Sequence, residues 1–216
     1  MDIGFVGLSG GSALVARRAA HGGFNVFGCD PEGRAAALAD EKVLVALPNA
    51  VALARALSSA PRVVWINVHP GRETELAIQD VWPELAQGDV IVDAGAARHE
   101  DAARREAALA TVKIHFVDCA VAPAEGDADD GPALYFGGSP AAARIFGPLA
   151  ELLAPERGWL HAGPAGSGYF FRTMLETAPG QGASMAKAMQ SGNPDGNAPL
   201  ERLRVLCESF GKDASK

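Results

Sequence analysis

Asp2-Ile3-Gly4-Phe5-Val6-Gly7-Leu8-Ser9-Gly10-Gly11-Ser12 opens the chain, and the order of residue types in it decides the fold. The run from Asp2 to Val6 reads as a strand, and Gly7 to Ser12 as a tight turn of small residues. Ala13 to Ala20 reads as a helix that ends near Gly22-Gly23. Asn25-Val26-Phe27-Gly28-Cys29 then makes a second strand, closed by Asp30. Strand, turn, helix, strand and acid form the layout of a dinucleotide-binding βαβ unit. The backbone N–H groups at a helix N-terminus have no partners inside the helix, so they attract a pyrophosphate that small residues allow to approach. Gly7, Leu8, Ser9, Gly10, Gly11 and Ser12 are therefore candidate cofactor-binding residues. An acid after the second strand accepts from ribose hydroxyls and repels a 2′-phosphate, so Asp30 favours NAD over NADP.

The turn departs from glycine-x-glycine-x-x-glycine, because Ser9 and Ser12 stand where the second and third glycines would be. Ser12 adds a side chain where helix and strand should touch, and Ser9 adds one where the pyrophosphate should sit. Gly10 and Gly11 keep the turn flexible at other offsets. From the motif alone, a functional nucleotide loop and a turn kept only for folding both remain open.

A chain of 216 residues with 48% hydrophobic content can bury a full core and suits one large domain with an appendage. Its net charge of −7 argues against nucleic acid and anionic membranes as partners. No apolar run reaches the ~18 residues that span a bilayer, and Met1-Asp2-Ile3 carries no basic leader region. Cys29, Cys119 and Cys207 are widely spaced and odd in number, which gives no metal or disulfide framework. The acids Asp127, Asp129 and Asp130 lack the ligand pattern of a calcium loop. A reducing cytoplasm is the expected compartment.

The βα rhythm continues. Lys42 to Ala46 reads as a short strand and Asn49 to Leu57 as a helix entered through Pro48. Arg62 to Val68, Val90 to Asp93 and Lys113 to Asp118 are near-continuous apolar runs, the signature of strands buried on both faces of a parallel sheet. Helices fit between them at about Gly71 to Leu85 and Arg98 to Ala110. Ala133 to Phe136, Pro140 to Leu153 and Trp159 to His161 add a strand, a helix and a closing strand. The predicted architecture is α/β: a doubly wound, mainly parallel Rossmann-type sheet over residues 1–165, followed by a short, truncated helical tail over 166–216. In that tail Tyr169 to Glu176 reads as helix, Pro179-Gly180 as a break, and Leu200 to Phe210 as an amphipathic helix bearing Leu203, Leu206 and Phe210 on one face.

The stretches Pro61 to Val68, Gly88 to Gly95, Ile114 to Asp118, Gly137-Gly138 and Arg157 to Gly168 resemble the decarboxylating 6-phosphogluconate dehydrogenases, especially their short bacterial type, within the β-hydroxyacid dehydrogenase superfamily. The landmarks fall in the family's order from Asp2 to about Gly168. The resemblance implies a nicotinamide cofactor, with contacts at Val68 and His69, where His69-Pro70 replaces a proline-containing turn, and at Ala96. It also implies a dimer formed through the region after Gly168.

The family's catalytic positions are substituted. Its asparagine-serine pair becomes Ala96-Ala97, and its serine-glycine-glycine loop becomes Ala122-Pro123-Ala124. The lysine base becomes Arg172, the histidine Leu175, the asparagine Glu176, the glutamate acid Pro179 and the phosphate-binding tyrosine Gly180. A base in this reaction must lose its proton, which lysine can do in a suitable site and arginine cannot. Arg172 and Glu176, four apart on a helix, can form an ion pair that is either a solvated pair or a remodelled anion site. His69, Asp93, His99, Asp118 and Cys119 are placed at or just after strand ends, where open α/β sheets bind ligands. His115, inside a strand, reads as structural. Three functions stay open: an active nicotinamide-dependent hydroxyacid dehydrogenase, a catalytically disabled binding or regulatory protein, and a structural partner subunit acting through its tail as homodimer or hetero-partner.

Overall fold

The computed structural model describes residues 1–95, 97–122, 131–155 and 158–177. The chain divides into two compact units, Met1–Thr173 and Met174–Lys216. Only 174–177 of the second are among the described residues, so Pro179-Gly180 and the helix expected at Leu200 to Phe210 lie outside them.

The first unit is built from β1 (Asp2–Val6), α1 (Gly11–His21), β2 (Asn25–Cys29), α2 (Arg34–Asp40), β3 (Val45–Ala46), α3 (Ala50–Ala56), β4 (Val63–Ile66), α4 (Arg72–Val81), β5 (Val90–Asp93), α5 (His99–Ala110), β6 (His115–Ala122), β7 (Ala133–Gly138), α6 (Pro140–Leu153) and β8 (Trp159–Gly163). A single 3-10 turn, Trp82–Glu84, follows α4. Helix α7 (Ser167–Thr177) starts here and runs past Thr173.

The eight strands form one sheet in the order β3-β2-β1-β4-β5-β6-β7-β8. All neighbours up to β6 are parallel, β7 is antiparallel to β6, and β8 is parallel to β7. The doubly wound, mainly parallel sheet is thus as the apolar runs require, with its order reversing between β1 and β4. At that switch the crossovers leave in opposite directions and open a crevice at the carboxyl ends of the strands.

Every residue of β1, β4, β5 and β7 is buried, because helices cover both faces of the sheet. One face packs Phe5, Trp65 and Phe136 beneath α1 and α6, with Phe136 and Phe146 of α6 edge to face at 4.9 Å. The opposite face packs Ile66, Ile91 and Phe116 beneath α3, α4 and α5, with Leu53 contributed by α3. Each large side chain wholly removed from water contributes about 1.5–3 kcal/mol. Local signals set the helix starts: Asn49 accepts from the Ala52 amide at 2.8 Å, and Ser139 accepts from Ala142 at 3.2 Å with Pro140 following.

Strand β4 stops at Ile66 rather than Val68, β7 runs on to Gly138 and β8 to Gly163, and three further elements differ from the sequence expectation. Helix α2 was not expected, and β3 is limited to Val45–Ala46 at the sheet edge. Strand β6 continues four residues beyond Asp118 because Cys119–Ala122 pair with Ala133–Phe136 of β7.

Candidate functional site

The turn between β1 and α1 lies in the crevice and is held from three sides. Gly7 has φ 86°, and a Cβ there would collide with the carbonyl oxygen of Asn67, so only glycine fits. Leu8 buries its side chain, and its amide donates to Asp30 Oδ2 at 2.8 Å. Ser9 is half-buried; its carbonyl and hydroxyl oxygens both accept from Asn67 Nδ2, at 2.9 and 3.2 Å. Gly10 is exposed, has φ 52°, and would carry a Cβ into open space. Gly11 begins α1, which has no side-chain cap and no acid in its first turn. A Cβ at Gly11 would press on Val121 of β6. An open loop apex leading into an uncapped helix N-terminus fits the phosphates of a dinucleotide.

Ser12 does not obstruct the contact of helix and sheet. Its side chain is buried, and its hydroxyl accepts from the indole N–H of Trp65 at 3.0 Å. The polar atom that replaces the expected glycine is thereby satisfied within the core.

At the end of β2, Asp30 is engaged in holding the turn. Its side chain is 1% exposed, accepting from the amides of Leu8 and Glu32 and from Arg34 at 3.3 Å. Burial alone would raise its pKa, but the amides of Leu8, Glu32 and Arg34 and the Arg34 guanidinium outweigh it and keep the carboxyl below the usual range. Arg34 also pairs with Glu32. The carboxylate expected to read the ribose is therefore covered by a guanidinium 40% exposed.

Val68 and His69 follow β4 beside the turn; Val68 is half-buried, His69 exposed, and its carbonyl accepts from Thr74 at 3.0 Å. Ala96 lies outside the described residues. Asp93, at the end of β5, is buried and bound to Arg105 at 2.7 Å, while Arg105 also reaches Glu75 and Tyr169 Oη. Asp118 is buried in β6 and accepts from the Gly166 and Tyr169 amides at 2.7 and 2.9 Å, fastening the start of α7 to the sheet. These two acids are scaffold anchors. Cys119 lies within β6 rather than after it, fully buried, and burial pushes its thiol pKa far up. His99 begins α5 and is exposed, and His115 is half-buried at the opposite end of β6.

Arg172, on α7, donates to the Ala94 carbonyl at 3.1 Å, which brings its guanidinium to the end of β5. Glu176 is exposed in the second unit. Pro179 lies outside the described residues. Among the described residues no group of three His, Cys, Asp or Glu side chains is placed to hold a metal ion. Sequence reading did not find Asn67 and Arg34, whose types carry no motif at those positions.

The NAD binding domain of 6-phosphogluconate dehydrogenase matches residues 2–159. The provisionally named 6-phosphogluconate dehydrogenase YqeC of Bacillus subtilis is 34% identical over 112 residues, covering 52% of this chain and 37% of its own. The decarboxylating 6-phosphogluconate dehydrogenase of Caenorhabditis elegans is 35% identical over 116 residues, covering 52% of this chain and 24% of its own. The matched stretch thus spans between about a quarter and two fifths of those relatives. The Plasmodium falciparum 6-phosphogluconate dehydrogenase, solved apo and with NADP+ and 6-phosphogluconate, superposes with TM-score 0.72 at 19% identity, over 88% of this chain and 43% of that one. This likeness shows the fold. With the family's domain matched over most of its length, the chain belongs to the family of the NAD-binding domain of 6-phosphogluconate dehydrogenase.

Proposed function

We propose that this chain binds a nicotinamide dinucleotide in the β1–α1 crevice and does not carry out the family's oxidative decarboxylation, serving instead as a binding, regulatory or partner subunit in a reducing cytoplasm. The observation that carries the second half is Arg172. It stands where the resembled family has its lysine base and donates to the Ala94 carbonyl. A guanidinium with pKa above about 12 keeps its proton at any working pH, so it cannot accept one from a substrate hydroxyl. The family's acid position is Pro179, which has no ionisable group.

A bound nicotinamide supplies hydride transfer. The chain's own residues would supply the hold: the turn from Gly7 to Ser12 would take the phosphates, with Val68 and His69 bordering it. NAD is favoured over NADP, because Asp30 and Glu32 both pair with Arg34 and leave that three-residue cluster net negative. The buried free thiols of Cys29 and Cys119 suit a reducing compartment.

Assaying the purified protein with 6-phosphogluconate and either nucleotide tests the reading. No turnover is expected; sustained NADH or NADPH production would replace it with that of an active hydroxyacid dehydrogenase.

A further inference from the structure

We propose that Ser9 is a pyrophosphate-binding residue of the nucleotide site, with its hydroxyl aimed by Asn67. The inference rests on nucleotide binding in the β1–α1 crevice and adds a ligand group that the glycine motif lacks.

Asn67 follows β4 and is fixed by its backbone, its amide donating to the Val6 carbonyl at 2.8 Å and its carbonyl packed against Gly7. Its side-chain nitrogen donates to the Ser9 carbonyl at 2.9 Å and the Ser9 hydroxyl oxygen at 3.2 Å. An amide nitrogen only donates, so Ser9 Oγ is the acceptor in that contact and its own proton remains for another acceptor. The Ser9 carbonyl also accepts from the Ser12 amide at 3.2 Å, so both of its contacts are made within the protein. Ser9 is half-buried directly before the uncapped start of α1. A phosphate oxygen arriving there meets a hydroxyl donor oriented in advance, and hydrogen bonds to charged acceptors are stronger than neutral ones. A glycine at position 9 would leave Asn67 only a carbonyl to hold. Serine and asparagine therefore act as a pair across 58 residues of sequence.

The test displaces bound NADH with ADP-ribose, which carries the pyrophosphate, and with adenosine, which does not. Ser9→Ala should weaken NADH and ADP-ribose about tenfold, in keeping with one lost charge-assisted hydrogen bond. It should leave adenosine unchanged, and Ser9→Thr, which retains the hydroxyl, should bind as the parent does. Asn67→Ala should show the same pyrophosphate-dependent loss, and the double variant no further loss. Parent-like ADP-ribose binding by Ser9→Ala would overturn the role of Ser9 while leaving nucleotide binding intact. A loss extending equally to adenosine would reduce the pair to scaffolding. If the unmodified protein binds neither NADH nor ADP-ribose, the nucleotide reading fails and this inference fails with it.

Discussion

Ser12 and Trp65 show how one residue changes the meaning of a motif. The serine hydroxyl is buried and accepts the indole N–H at 3.0 Å, so each group satisfies the other inside the core. Restoring the motif's glycine by Ser12→Gly should therefore destabilise the fold, by about 1–3 kcal/mol for the orphaned indole donor. Urea unfolding measures this, and pairing it with Trp65→Phe should show coupling; additive losses would contradict the contact. Asp30 carries a second prediction. Because it anchors the Leu8 amide as well as shaping the ribose end, Asp30→Ala should weaken NADH and NADPH together and narrow the preference for NADH. Nicotinamide fluorescence reads both constants, and a change confined to NADPH would show that the carboxylate does not hold the turn.

Among elements, the anchoring of α7 responds to pH. Asp118 is buried beneath the helix start; burial raises its pKa from 3.8 to about 6, although the Gly166 and Tyr169 amides pull it back and neighbouring Asp93 adds to the rise. The folded protein thus holds a proton over a range where the unfolded chain has released it. This contribution is full below about pH 4 and is lost as pH rises toward 6, at no more than about 1.4 kcal/mol per pH unit. Asp30 and Glu75 are shifted the other way, and their contributions fall away only below the ordinary carboxylate range. Asp118→Asn should flatten unfolding free energy between pH 4 and 6, and an unchanged slope would assign the effect elsewhere. The same residue marks where sequence reading stopped short. An acid after an apolar run looks like a strand end, yet Asp118 is satisfied by amides 48 and 51 residues away, and β6 continues past it. Gly137 and Gly138 look like strand breakers. They stay in β7 because they pair with Asp118 and Val117 of β6, and Gly137 must be glycine because a Cβ there would meet the Pro164 carbonyl at 2.5 Å. Helix α2 follows Gly33 in a left-handed conformation with no side-chain cap, so it lacks a start signal. By contrast, β1, β2, β5 and α6 were legible to the residue, because apolar runs and the Ser139-Pro140 start are local. The site divides likewise: the turn and Asp30 follow from spacing, whereas Trp65 to Ser12 and Asn67 to Ser9 join residues more than fifty positions apart that only the folded sheet brings together.

On the function proposed above, nucleotide binding and catalysis separate at the scale of the whole molecule. Arg172→Lys would supply an amine at the family's base position, yet Ala96, Ala122, Pro179 and Gly180 still leave the other groups missing, and groups that act as a unit are not additive. The variant should show no 6-phosphogluconate oxidation by absorbance at the nicotinamide band; recovered turnover would locate the whole defect in one residue. For assembly, the amphipathic helix expected from the sequence at Leu200 to Phe210 leads us to propose a dimer through Leu203, Leu206 and Phe210, since an apolar stripe left open to water favours association. Light scattering should give a dimer mass that falls toward the monomer in Leu206→Asp, and a monomer mass in both would refute the shared face. The most direct test of the central claim is a fluorescence titration of the purified protein with NADH. Saturable binding is expected, tighter than NADPH measured the same way; no change up to millimolar NADH would contradict the assignment of the β1–α1 crevice as a nucleotide site.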